Sequence, residues 1–425
     1  MSDATLVVPY DTPGHPNRVE DRTRDIFAAN GLAPSPLALD LLRVASTAYV
    51  ADMRLARDTG YDGWTREIAL RVFVSDAERW REKTDLVERM LAFLTGDHWT
   101  VDFRSTHAEY VPTAAKKPKA VHQLSVPTVA LLSGGLDSFI GAIDGVEQGE
   151  IAFVAHHGGG GGATSASQDH VRDVLTSAYG EDRVRLLQFW FAPPAVSTGV
   201  TETSTRSRSL LFVALGVVVA FAAGAERLVI PENGVISLNL PLTPARLGSF
   251  STRTTHPHYI ALFRQLLQHL DLTPELTLPY RFATKGEMLV GAKNQDVLAK
   301  GLSVTMSCSH PDSNRFRAKN PHLHCGRCVP CVIRRAATTA WGTDPTAYAQ
   351  DDLSGPIGGQ SGADLRALRI ALHRYTRRPP TVRDILSAGP LPVPDDDIAR
   401  YVEVYRRGVD ELREFLKAHP ESATP

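Results

Sequence analysis

The stretch Thr128-Val-Ala-Leu-Leu-Ser-Gly-Gly-Leu-Asp-Ser138 decides the fold. Its first half is a short continuous apolar run, the mark of a strand buried on both faces. Its second half is a glycine turn, and Ser138 to Glu147 continues with helical spacing. Each residue type in Ser133-Gly134-Gly135-Leu136-Asp137-Ser138 suits an anion. The two glycines let the backbone turn tightly and bring N–H groups close to a charge. The helix start that follows adds free N–H groups and a partial positive charge. Ser133 and Ser138 supply hydroxyl donors, and Asp137 supplies a carboxylate for a magnesium ion against phosphates. The loop is neither GxxxxGK[ST] nor GxGxxG, so its spacing supports neither a Walker NTPase nor a dinucleotide dehydrogenase.

Outward from this loop, strand and helix alternate. Ile151 to Ala155, Val184 to Phe191 and Arg227 to Ile230 read as further apolar strands, with helical patterns at Asp169 to Tyr179 and Ser207 to Ala223. Apolar strands separated by helices predict an α/β domain with a doubly wound parallel sheet, whose ligands bind outside the carboxyl ends of the strands. The longest apolar run, Leu210 to Ala223, is shorter than the roughly 20 residues that span a bilayer and reads as a buried helix.

Two polar, proline- and glycine-punctuated stretches, 112–127 and 351–362, divide the 425 residues. They separate a front region (1–122), a central domain (123–350) and a tail (351–425). The front reads as small α+β. Leu37, Leu41, Val44, Ala45 and Ala48 recur at helical spacing, whereas Ile68, Leu70, Val72 and Val74 alternate as in a strand. Ser75 with Glu78 reads as the capping box of a helix carrying Trp80, Leu86, Met90 and Phe93, and Trp99, Val101 and Phe103 alternate again. The tail reads as amphipathic helices capping the core domain. Lys+Arg number 46 and Asp+Glu 47, a formal net charge of -1 that argues against a broad nucleic-acid face. No basic stretch leads into an apolar run at the N-terminus, so a cytoplasmic location without a membrane partner is expected.

All four cysteines, Cys308, Cys325, Cys328 and Cys331, lie in one short stretch. Two overlapping CxxC steps and one distant thiol suit a tetrahedral zinc with every position filled, hence a structural metal. Four-cysteine iron–sulfur ligation is the competing reading. His310, His322 and His324 lie close by and read as outer neighbours of the knot.

Three elements in this order, SGGLDS, then Thr284-Lys285-Gly286-Glu287-Met288, then TMSC with CGRCVPC and Arg334, resemble the PP-loop (HUP-like) ATP pyrophosphatases, and among them the 7-cyano-7-deazaguanine synthases. The likeness covers about half of the chain, from Pro127 to Trp341. It implies that the loop binds the pyrophosphate end of ATP and that backbone around Ala130–Leu132 and Phe153–Ala155 holds the adenine. Lys285 would neutralise the leaving pyrophosphate, Asp137 and Lys285 are the catalytic candidates, and Arg334 would sit near a zinc knot. Glu232 and Asn233, at a strand end, are candidates for a purine edge or a ribose. The implied reaction adenylates 7-carboxy-7-deazaguanine, releases pyrophosphate and passes the acyl group to an amine, giving an amide or a nitrile. Two stretches depart from the family. One is Ile236 to Tyr259. The other is His156-His157 with Gly158 to Gly162, a conformationally loose run expected to order on ATP. The long front and tail resemble extended members found in bacterial antiphage operons, which implies a protein partner from the same operon, itself a possible acceptor. Two rival functions stand beside this one. A tRNA-thiolating enzyme would need spare cysteines, and a scaffold that senses ATP would not turn it over.

Overall fold

A computed structural model describes residues 20–60, 62–106, 123–158, 162–192, 202, 206–239, 253–311, 320, 322–354 and 362–420. They form a mixed α/β structure with two sheets. The front contributes β1 (Glu20–Asp21), α1 (Thr23–Ala29), α2 (Pro36–Arg54), β2 (Glu67–Val74), α3 (Ala77–Arg81), α4 (Thr84–Thr95) and β3 (His98–Ser105). Strands β2 and β3 pair in parallel, Ile68 opposite Trp99 and Val72 opposite Phe103, and their alternate residues turn inward as the period-2 pattern requires.

The capping box read from Ser75 and Glu78 does not form. Buried Asp40 takes both the N–H and the hydroxyl of Ser75, at 2.9 and 2.6 Å. Asp76 caps α3 instead, accepting from the Arg79 N–H at 3.1 Å. The single helix expected from Trp80 to Phe93 is two helices. Six residues apart, Trp80 and Leu86 would point about 120° apart on one helix, and the break lets both turn inward.

The middle of the chain runs β4 (Thr128–Leu131), α5 (Leu136–Gln148), β5 (Ile151–His157), α6 (Ala163–Tyr179), β6 (Arg185–Ala192), α7 (Arg208–Ala222), β7 (Arg227–Val229), α8 (Gly234–Leu238), α9 (Pro257–His269), β8 (Glu275–Thr277), α10 (Lys285–Gly291) and α11 (Gln295–Gly301). The sheet order is β1-β6-β5-β4-β7-β8, parallel throughout except for the antiparallel edge strand β1. Strands β1 and β8 are too short to show a pattern in the sequence. Residues along β4 alternate between two cores. Val129 and Leu131 join α7, α9 and the front, whereas Ala130 and Leu132 join α5, α10 and α11. As expected, the apolar run of α7 is a buried helix.

Helix Val329–Trp341 follows, and then the tail helices Ala363–Arg377, Val382–Leu386 and Asp395–Lys417, which share a third core with it through Val332, Leu368 and Tyr405.

The front joins the sheet through apolar packing of α2 on α7 and through a buried ion network. Asp52 accepts from the Ser207 N–H and hydroxyl at the start of α7, at 2.9 and 2.8 Å, and from Arg66 at 2.6 Å. Asp97 accepts from Arg57 at 2.9 Å and from Arg66 at 2.5 Å. Burial alone would raise the Asp97 carboxyl, but the Arg66 hydrogen bonds and the Arg57 charge outweigh it and hold the group below the usual carboxylate range. Asp97→Ala removes one of the two carboxylates that neutralise buried Arg57 and Arg66, leaving Asp52 alone against both, and should cost about 3–5 kcal/mol in urea melts. Because the folded-state value is depressed, the wild type should lose this contribution as pH falls through about 4 and below, while the variant shows a flatter profile there.

Candidate functional site

The loop Ser133–Ser138 lies beyond the carboxyl end of β4, where the sheet's neighbours change from β5 on one side to β7 on the other. Gly134 has φ 84°, a left-handed conformation that a side chain would strain, and a Cβ there would come within 3.1 Å of Gln168. Gly135 precedes α5 as its N-cap, its N–H donating to the Ser133 hydroxyl at 3.3 Å, and among the described residues no side chain caps the first turn of the helix. The first-turn N–H groups therefore face outward, which is the chemistry of an anion site. The Ser133 hydroxyl donates to that of Ser138 at 3.1 Å, which donates to the Gly135 carbonyl at 2.8 Å.

Two supports outside the motif hold the loop. Fully buried Gln168 of α6 donates to the carbonyls of His156 at 3.0 Å and Ser133 at 3.3 Å, tying the ends of β5 and β4 together. The Gly134 carbonyl accepts from the Met306 N–H at 2.9 Å. Neither support has a spacing signal, since Gln168 reaches Ser133 across 35 residues and Met306 lies far along the chain from Gly134.

Asp137, Asn233 and Lys285 converge. The Lys285 ammonium, nearly buried, donates to one oxygen of Asp137. The Asn233 amide donates to the other at 2.6 Å, while its own Oδ1 caps α8 through the Ile236 N–H at 3.0 Å. Both Asp137 oxygens are thus engaged by protein groups. Thr284 and Glu287 form a capping box that fixes the start of α10 and hence Lys285. Glu411 of the tail accepts from the Thr284 hydroxyl and lies where a Cβ on Gly286 would be, at 2.6 Å. Arg407 reaches Glu287 at 2.5 Å and the Phe282 carbonyl at 2.8 Å. The tail is therefore part of the support of Lys285 as well as a cap.

Glu232 lies next to Asn233, half-buried. Its carboxyl accepts from the buried Thr255 hydroxyl, which is 2.9 Å from that of Ser237. Burial pushes its pKa up to about 7, the Thr255 hydrogen bond working against this, the Asp137 charge adding to it and Lys285 opposing it. Of the glycine run, residues 159–161 lie outside the described residues, as do 240–252 of the divergent stretch.

The four cysteine sulfurs lie within 4.8 Å of one another, all buried. Cys308 is 4.0 Å from Cys328 and Cys325 is 3.8 Å from Cys331. Sulfurs at about 2.3 Å from one tetrahedral zinc stand about 3.8 Å apart, so the set fits a single ion. In a four-iron cluster each thiolate would hold a different iron, and this crowding does not suit that. N–H groups of Ser309, His310, Cys325 and Cys328 point at the sulfurs, at 3.3 to 3.5 Å. His324 is a neighbour and not a fifth ligand. Its Nε2 accepts from the Ser307 N–H at 3.0 Å, leaving Nδ1 to donate to the His322 carbonyl at 2.9 Å. Arg334 is fully buried and donates to Thr305, Ser307, Thr346 and the Leu302 carbonyl. It fastens the knot helix to the segment that carries Met306 to the loop.

Purified protein should hold about one zinc per chain by elemental analysis, and Cys331→Ser should be insoluble or lose most of its melting cooperativity, because the metal is coupled to folding. Iron with visible absorbance, or no metal in a stably folded protein, would contradict this.

Among the described residues no helix is long and apolar enough to cross a membrane. No protein-family model matches the chain, and comparison with curated proteins finds no match.

Proposed function

We propose that this protein is an ATP-dependent carboxylate-activating enzyme of the PP-loop kind, with the doubly wound sheet of that family. The observation that carries the reading is the uncapped start of α5 behind a left-handed glycine, faced by a nearly buried lysine from a distant element. That arrangement suits the pyrophosphate end of ATP. In this reading the substrate carboxylate attacks the α-phosphorus, the bond to the β-phosphate oxygen breaks, and pyrophosphate leaves toward the loop amides and Lys285. Catalysis is then mostly positioning and electrostatic stabilisation. Magnesium accompanies the phosphates, and the four-cysteine metal, zinc by its geometry, is structural.

The carboxylate, by resemblance, is 7-carboxy-7-deazaguanine. Ammonia as acceptor gives an amide, and a second activation gives a nitrile. An amine of a partner protein from the same antiphage operon fits the additional front and tail, which a synthase acting on small molecules does not need. The engagement of all four cysteines in one knot weighs against tRNA thiolation.

The test is product analysis with ATP and 7-carboxy-7-deazaguanine. AMP and pyrophosphate should form, and Lys285→Ala should lower kcat by about 10²–10³. Asp137→Asn should also be inactive and should melt at a lower temperature, because it leaves a buried ammonium without its counter-charge. Formation of ADP and phosphate would contradict the reading, and nucleotide binding without turnover would favour the ATP-sensing scaffold.

A further inference from the structure

Glu232 is the one carboxyl in this site whose position the phosphate chemistry leaves unexplained. It follows β7 by three residues, and its neighbour Asn233 holds Asp137, so it borders the loop at the level of the Asp137–Lys285 pair. Its hydrogen bond from Thr255 comes from within the divergent stretch Ile236 to Tyr259, not from the Ser133–Ser138 loop or the Lys285 helix. Thr255 is in turn fixed by Ser237 at the end of α8. A hydroxyl relay therefore orients one carboxyl oxygen. A side chain this constrained, partly withdrawn from water and close to a reacting centre, is the description of a proton acceptor.

We propose that Glu232 is the general base of the second half-reaction, taking the proton from the amine that attacks the acyl-adenylate. This deepens the carboxylate-activation reading and rests on it. In the step, the amine nitrogen forms a bond to the acyl carbon. The bond from that carbon to the AMP oxygen breaks, and its electron pair leaves with AMP. The nitrogen's proton passes to the Glu232 carboxylate. Adenylation itself, attack by an already ionised carboxylate, moves no proton and needs no such base.

The electrostatic surroundings fit the role. Asp137 and Lys285 are the charged groups that act on Glu232, of opposite sign. His256, adjacent to Thr255, is buried and held at about 3, hence uncharged at neutral pH. Glu232 is thus partly ionised at working pH, where a base is most effective.

Glu232→Gln keeps the shape and an acceptor for Thr255 but cannot take a proton. Two rates separate the half-reactions. One is carboxylate-dependent exchange of labelled pyrophosphate into ATP, and the other is amide formation with ammonia. The variant should retain measurable exchange, which shows that it is folded, and any loss of exchange should be far smaller than its loss of amide formation. It should lose amide formation by about 100-fold or more. The wild-type amide-forming kcat should rise with pH through about 7 and then level, and the variant should lack that rise. Equal loss of exchange and amide formation would place Glu232 in ATP binding, and unchanged amide formation would remove its proton role; either overturns the proposal. Absence of carboxylate-dependent exchange in the wild type would overturn the carboxylate-activation reading itself, and this role with it.

Discussion

Lys285 is nearly buried, and a buried ammonium persists only beside a counter-charge. Asp137 supplies it, and the pairing dictates the rest of the site. Asp137 stands in the first turn of α5, so the loop before it must turn at Gly134 to leave β4. Asn233 must approach from the end of β7 to occupy the second carboxylate oxygen. The start of α10 must be rigid enough to aim a long side chain, which explains a full capping box and a tail helix pressed against Gly286. A substrate phosphate arriving here would compete with Asp137 for the same ammonium.

The cysteine knot acts on this site through backbone. Met306, two residues before Cys308, donates to Gly134. Arg334 grips the same segment at Leu302, Thr305 and Ser307. A metal that gathers Cys308 with the other three thiols therefore fixes the length and direction of the strap that holds the loop. The knot thus secures the Gly134 carbonyl, while the adjacent Gly135 N–H donates to the Ser133 hydroxyl at 3.3 Å. This link gives a physical reason for a metal knot and a phosphate-type loop to share one chain.

Much of this was legible in the sequence where the signal is local. The four central strands, the apolar helix α7, the glycine loop and the four thiols each depend on short-range pattern or spacing. The signal failed where partners are distant. Ser75 matched a capping box, but Asp40, 35 residues earlier, took it. Gln168, Thr255 and Glu411 carry no motif, because a hydrogen bond across the fold constrains one position only. The tail's apolar spacing showed that it packs, but not that Glu411 meets Thr284, 127 residues earlier. Strands of two or three residues, β1 and β8, are too short for any periodicity.

The fate of one oxygen atom tests the central claim most directly. Carboxylate labelled with ¹⁸O, incubated with ATP and an amine, should leave one labelled oxygen in the phosphate of AMP, because the acyl-adenylate is cleaved between carbon and that oxygen. Unlabelled AMP, or label in inorganic phosphate, would show that the carboxylate never bonded to the α-phosphorus and would contradict the assignment of this loop.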